Sequence, residues 1–371
     1  MKQKLVLFTP GPVMTSANLK RGLSHPDIPH RRLEFEKIFA RTRQNLLKLY
    51  KADQEYAVAI VTGSGTSSNE TALSSIIRDE DEVLLIKNGV FGDRLDDILT
   101  CYYPKNIHRM ENTWGQQPDL EKVELTLRDN QNISWICIVF HETSTGMVNP
   151  VRKIGDIVNR YRRHLFVDCI SAIGAEDIDV VRDHIDACTG SANKAISGPT
   201  GISFVCIKRA IIPSLGIDIP LRNIYLNLHK HLEYADKFNQ TPNTPAVTNF
   251  IGLDIALQEL FEEGLNSRID RYQECARIIR SESGALGLSI LVPEGYRSNT
   301  VTSVFLPEGV SLPEFIDEME RRGFVLYPGK GIFEEQRMFQ ICNMGWISPK
   351  DCKKLMIVIN EVIDFLTHGS T

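Results

Sequence analysis

Five short apolar runs punctuate the first two-thirds of the chain, at 56–61, 82–87, 133–140, 165–167 and 202–207. Each is too short for a helix and rich in Val, Ile and Phe, which predicts buried strands. Between them lie stretches with helical spacing. Phe35, Ile38, Phe39, Leu46 and Leu47 share one face, a second helix opens at Ser67 and runs through Ile77, and a third covers 154–161. Strand and helix alternate, so the pattern predicts an α/β fold, a mostly parallel sheet wrapped by helices. Beyond a long helix at 248–263, stopped by Gly264, the order becomes helix 268–281, strand 301–306, helix 312–322, strands 324–327 and 338–342, and helix 351–367. That tail predicts a small α+β domain. The expected division is residues 1–264 for a large domain with an N-terminal segment, and 265–371 for the small one.

The strand ends carry the chemistry. The run at 165–167 delivers Asp168 at its carboxyl end, where open α/β sheets place ligands. Lys194 follows in Ser191-Ala192-Asn193-Lys194, among small residues that let a planar group approach. Taken singly, a structural Asp and a solvated Lys explain both residues. As a pair they suit pyridoxal phosphate: the lysine forms the Schiff base, and the carboxylate keeps the pyridine nitrogen protonated so that the ring accepts electrons. After the first strand, Gly63-Ser64-Gly65-Thr66 leads into a helix start, whose free amides and dipole make an anion cup. No lysine follows in the Walker position.

Composition narrows the class. The chain has 371 residues, 42% apolar and 24% charged, with a formal net charge of −5. This is ordinary for a globular protein and offers no basic field for nucleic acid or an anionic membrane. No apolar run reaches bilayer length, and the first apolar patch is too short for a signal-peptide core. The eight cysteines are scattered without a C-x-x-C pair, as expected of reduced thiols and not of a disulfide framework or metal site. These features place the protein in the cytoplasm, with no metal.

Seven segments in order complete the picture: 8–12 (Phe-Thr-Pro-Gly-Pro), 63–66, 88–92 (Asn-Gly-Val-Phe-Gly), 141–150 (His-Glu-Thr-Ser-Thr-Gly-Met-Val-Asn-Pro), 167–168, 191–194 and 327–330 (Tyr-Pro-Gly-Lys). Together they resemble the class V aminotransferases of fold type I, and within them the 2-aminoethylphosphonate–pyruvate transaminases; alanine–glyoxylate aminotransferases are more distant. The resemblance implies a seven-stranded, mostly parallel sheet in the large domain and a homodimer with shared active sites. It implies transamination from a small amine such as 2-aminoethylphosphonate to a 2-oxo acid such as pyruvate, a step of phosphonate metabolism. It assigns Lys194 and Asp168 to catalysis and Ser64, Gly65, Thr66 and Asn193 to the cofactor phosphate. Phe91 would stack on the ring, Thr143 bond its phenolic oxygen, Ser171 lie beside it, and Thr244 reach a neighbouring subunit's phosphate.

One position departs. Phe339-Gln340-Ile341-Cys342-Asn343-Met344-Gly345 carries Gln340 where the family pattern has an arginine that clamps the substrate's acid group. A neutral amide does not replace a charged fork. Arg31, Arg32, Arg337 and Lys330 are the candidate substitutes, Arg31 and Arg32 either facing the substrate entrance or solvated. The turn Ser197-Gly198-Pro199-Thr200-Gly201 also carries an extra Thr200 against the usual Gly-x-Pro-Gly. Other readings are a different pyridoxal phosphate reaction, such as a lyase or a transaminase of uncharged amines, or a non-catalytic interaction protein on a decayed fold.

Overall fold

A computed structural model describes residues 5–103, 105–217, 219, 221–333 and 335–368. Seven strands form the main sheet: β1 (Tyr56–Thr62), β2 (Glu82–Lys87), β3 (Ile107–Glu111), β4 (Ile133–Val139), β5 (His164–Asp168), β6 (Ala187–Ser191) and β7 (Ile202–Lys208). Their spatial order is β1-β7-β6-β5-β4-β2-β3. Only β7 runs antiparallel, to both β1 and β6. This is the mostly parallel α/β sheet expected from the alternation of runs and helices.

The strand runs are continuous in apolar residues because helices cover both faces of the sheet. On β4, Ile136 and Ile138 enter one core while Trp135, Cys137 and Val139 enter the other. Two strands carry weaker signals. β6 reads Ala-Cys-Thr-Gly-Ser, with no large apolar side chain, and β3 is an edge strand with partly exposed residues. The polar stretch after Tyr225 folds as a helix, Leu228–Phe238.

A second sheet has three antiparallel strands, with Met338–Cys342 between Val301–Phe305 and Tyr327–Pro328. The expected strand at 324–327 is thus two strands. Phe324–Val325 pairs instead with Val6–Leu7 near the chain start, and Phe8 is buried in the core around Phe315, Phe339 and Ile359.

Helix α1 (Leu265–Ala285) ties this part to the main sheet. Arg268, 1% exposed, donates to Glu263 and to the carbonyls of Ala195 and Ile196. Tyr272 Oη donates to the Ala195 carbonyl at 2.9 Å and accepts from Gly345 N–H. Arg268→Ala removes charge-assisted bonds from a site that water does not reach. It should lower the unfolding free energy by about 2–3 kcal/mol in a denaturant titration.

Candidate active site

The cavity opens at the carboxyl ends of the parallel strands, because each βα turn there delivers a different group. After β1 comes helix α2 (Gly65–Ile76), with Ser64 as its N-cap residue. After β2 comes helix α3 (Val90–Tyr102), with Phe91 in its first turn. His141 follows β4, Asp168 ends β5, and Asn193 and Lys194 follow β6. The cavity measures about 160 Å³, and Ser64, Gly65, Thr66, Phe91, Asp168, Ser171, Asn193 and Lys194 all line it.

Asp168 is 4% exposed and both its oxygens are engaged. Asn69 Nδ2 donates to Oδ2 at 2.7 Å, and Ile170 N–H donates to Oδ1 at 2.9 Å. Thr189 on β6 in turn donates to Asn69 Oδ1. Burial pushes the carboxyl pKa up, against these bonds and the neighbouring Lys194 and Arg94 charges. The carboxylate is therefore held rigidly where a cationic partner gains most.

Lys194 Nζ donates to the Pro10 carbonyl at 2.5 Å. Gly11 has φ +134°, and a Cβ there would sit 2.9 Å from Nζ, so this turn of the 8–12 segment requires glycine. Burial lowers the amine pKa to about 8; Lys330 and Arg94 lower it further, while Cys342 and Asp168 oppose the fall. The amine thus gives up its proton around pH 8, well below an ordinary lysine, which favours a nucleophile or proton carrier.

Glu142 fixes the aromatic wall. Its buried carboxyl accepts from the N–H groups of Phe91, Gly92 and Ser144 and from the Ser144 hydroxyl. A Cβ at Gly89 would meet Glu142 at 2.4 Å, so only glycine lets the start of α3 approach. Burial raises the Glu142 pKa to about 7.

Several expected residues lie elsewhere. Thr143 is 1% exposed and does not line the cavity; its hydroxyl donates to Ser171 Oγ at 2.6 Å, so it reaches the site through Ser171. Thr244 is exposed and outside this cavity. Arg31 binds Gln240 and the carbonyls of Thr241 and Pro242, which pins the 240–242 turn. Arg32 is exposed at the start of the Leu33–Leu49 helix. Arg337 sits in a left-handed turn, φ 55°, where its carbonyl accepts from Leu306 N–H. None of the three arginines lines the cavity, and Lys330 reaches only its Phe91 wall. Gln340 is 1% exposed and turned away as well: Nε2 donates to the Thr143 and Ser144 carbonyls and to Ser303 Oγ.

The cavity also holds residues that the motifs did not single out. Asn69 stands four positions after Gly65, and Arg94 three after Phe91, so each shares a helix face with a motif residue. That spacing was the available signal. His141 donates from Nδ1 to the Ser171 carbonyl, and burial holds its pKa at about 4, so the ring is neutral. Its Nε2 is buried without a partner in the cavity wall.

This donor set fits pyridoxal phosphate: a helix N-terminus for the phosphate, an aromatic face, a buried carboxylate, a lysine of lowered pKa, and an orphan imidazole acceptor. Among the described residues no cluster could hold a metal ion, and no helix is long and apolar enough to cross a membrane. None of the eight cysteines is in a disulfide.

Glu142→Ala would leave two buried N–H groups and the half-buried one of Phe91 without their acceptor, costing about 2–4 kcal/mol and loosening Phe91. Glu142→Gln should recover part of both losses. Thermal unfolding and the near-ultraviolet circular dichroism of the cofactor-loaded protein would measure them.

The chain matches the aminotransferase class-V family over residues 14–291. It is 30% identical to a 2-aminoethylphosphonate–pyruvate transaminase of Lysinibacillus sphaericus, covering 96% of both chains. It is 31% identical to one of Syntrophobacter fumaroxidans, over 95% of this chain and 94% of that one. An uncharacterized aminotransferase of Methanocaldococcus jannaschii is 30% identical over 94% of this chain and 90% of its own length. In fold, it superposes on the crystal structure of pyridoxamine–pyruvate aminotransferase from Mesorhizobium loti with a TM-score of 0.92, at 23% identity over 98% and 93% of the two chains. With its seven-stranded sheet, its cavity at the strand ends and these full-length likenesses, the chain belongs to the class V aminotransferases, enzymes of fold type I.

Proposed function

We propose that this protein is a pyridoxal phosphate-dependent aminotransferase that moves an amino group from a small amine, 2-aminoethylphosphonate or a close analogue, to a 2-oxo acid such as pyruvate. The observation that carries the reading is the meeting of the Lys194 amine and the fixed Asp168 carboxylate in one cavity with a helix N-terminus. Two of the full-length relatives bear the name of that activity.

When bound, the cofactor supplies the electron sink that lets the amine's α-carbon give up a proton. Lys194 Nζ would carry the cofactor covalently and, once displaced by the incoming amine, move that proton as general base and then general acid. Asp168, braced by Asn69 and the Ile170 N–H, would hold a proton on the ring nitrogen. Phe91 would press on the ring face. Ser64, Gly65 and Thr66 at the start of α2, with Asn193, would bind the phosphate. Ser171, with Thr143 behind it, would orient the ring's oxygen side.

The working unit we propose is a homodimer. Thr244 is exposed at the end of a turn that Arg31 pins, and in this reading it serves the neighbouring subunit's phosphate. The break at Gly264, φ +86°, supports a division into residues 1–264 and 265–371. Gln340 favours a second reading, in which a related enzyme of this family acts on another amine, because its amide is spent on protein carbonyls.

The purified protein should absorb in the visible and retain the cofactor after borohydride reduction and denaturation, whereas Lys194→Ala should retain none. Covalent retention by Lys194→Ala would overturn the lysine's assignment. Turnover of 2-aminoethylphosphonate with pyruvate should fall by about four orders of magnitude or more in that variant, as expected when a group acting as both base and acid is lost. Absence of any wild-type turnover with phosphonates, beside normal cofactor loading, would select the second reading. Light scattering should give twice the 41.9 kDa chain mass; a monomer with full cofactor content would exclude the shared site.

A further inference from the structure

The acid group of a small amine or 2-oxo acid needs a cation, and position 340 does not supply one. Two cations do stand over the Phe91 ring: Arg94 Cζ lies 5.2 Å from its centroid and Lys330 Nζ 5.5 Å. They differ in what else they touch. Arg94 reaches Thr66 Oγ1 at 3.4 Å, at the N-terminus of α2, which places it at the phosphate end of the cavity. Lys330 has no carboxylate partner among the described residues.

The backbone explains how Lys330 arrives there. Tyr327 pairs directly with Gln340 across the small sheet, and Gly329 N–H donates to the Met338 carbonyl. The chain therefore runs past Phe339 and leaves the sheet beside Met338, and the Lys330 side chain, three residues after Tyr327, swings over Phe91. Cys342 lies two residues beyond Gln340, on the same face of the strand. It feels both Lys194 and Lys330, and Lys194 feels Lys330 in turn. The three side chains share one electrostatic neighbourhood.

We propose that Lys330 is the substrate-binding cation of this enzyme, taking over from the neighbouring strand the clamp that Gln340 cannot provide, and that its ligand is a small acid group, phosphonate or carboxylate. The inference rests on the transaminase reading above. An ammonium is a point charge on a flexible stem, without the two-pronged geometry of a guanidinium. The site should accordingly accept tetrahedral and planar acids alike and discriminate poorly between them.

Methylphosphonate and acetate, which have no amine to react, would be titrated into the cofactor-loaded enzyme while its visible band is followed. The first arm stands for the donor's acid group and the second for the acceptor's. Lys330→Gln should weaken binding tenfold or more in at least one arm, with cofactor content unchanged, and Lys330→Arg should stay within about threefold of wild type. Equal affinity in Lys330→Gln, or no binding of either acid by the wild type, overturns the proposal. Lys330-dependent binding without turnover of 2-aminoethylphosphonate would defeat the substrate reading and leave this inference standing. Wild-type turnover with an unchanged KM in Lys330→Gln would do the reverse.

Discussion

The burial of one lysine amine organises this molecule. Lys194 Nζ sits where three distant parts of the chain meet. The N-terminal segment offers the Pro10 carbonyl, and the main sheet offers Asp168. From the C-terminal side, Arg268 and Tyr272 hold the carbonyls of Ala195 and Ile196, the residues just after the lysine. An ammonium in such surroundings is costly to keep charged, so its pKa falls to about 8. The loop cannot relax towards water to escape that cost, because the buried Arg268 and Tyr272 clamp it from behind.

The charges around the lysine are arranged in a graded way. Asp168 is itself desolvated, and each of its oxygens already accepts one hydrogen bond. Arg94 and Lys330, at 5.2 and 5.5 Å from the Phe91 ring centroid, add positive potential. His141 remains neutral, so its free nitrogen lone pair adds polarity without charge. A cavity with this balance suits a ligand that brings a positive ring nitrogen to one end and anionic groups to the other.

Glu142 shows how the scaffold supports the site at one remove. A carboxyl at the start of α3 collects N–H groups that the helix itself cannot satisfy. It thereby fixes the backbone of Phe91, whose ring forms a wall of the cavity. Gly89 and Gly11 serve the same end by absence of a side chain, one against Glu142 and one against Lys194.

The linear pattern by itself determined the strands of the main sheet that are rich in large apolar residues, because strands buried on both faces must be continuously apolar. It also determined where Asp168 and Lys194 fall relative to strand ends. It was silent on β6 and β3, whose small or polar residues form strands through their neighbours' hydrogen bonds and not through their own propensity. Only the tertiary structure decided which groups meet the lysine. Asn69 and Arg94 enter the cavity through helix phase, which a motif scan does not weigh, and the place of His141 within its motif did not show that its ring would face the cavity. Of the candidate anion binders, Arg31 is occupied by the 240–242 turn and Arg337 does not line the cavity. Gln340 donates to the 143–144 carbonyls while Lys330, ten residues earlier, reaches the aromatic wall, because antiparallel pairing carries the chain from Tyr327 past Phe339 to leave the sheet at Met338. Register between strands is a property of the folded sheet, and no spacing along the chain encodes it directly.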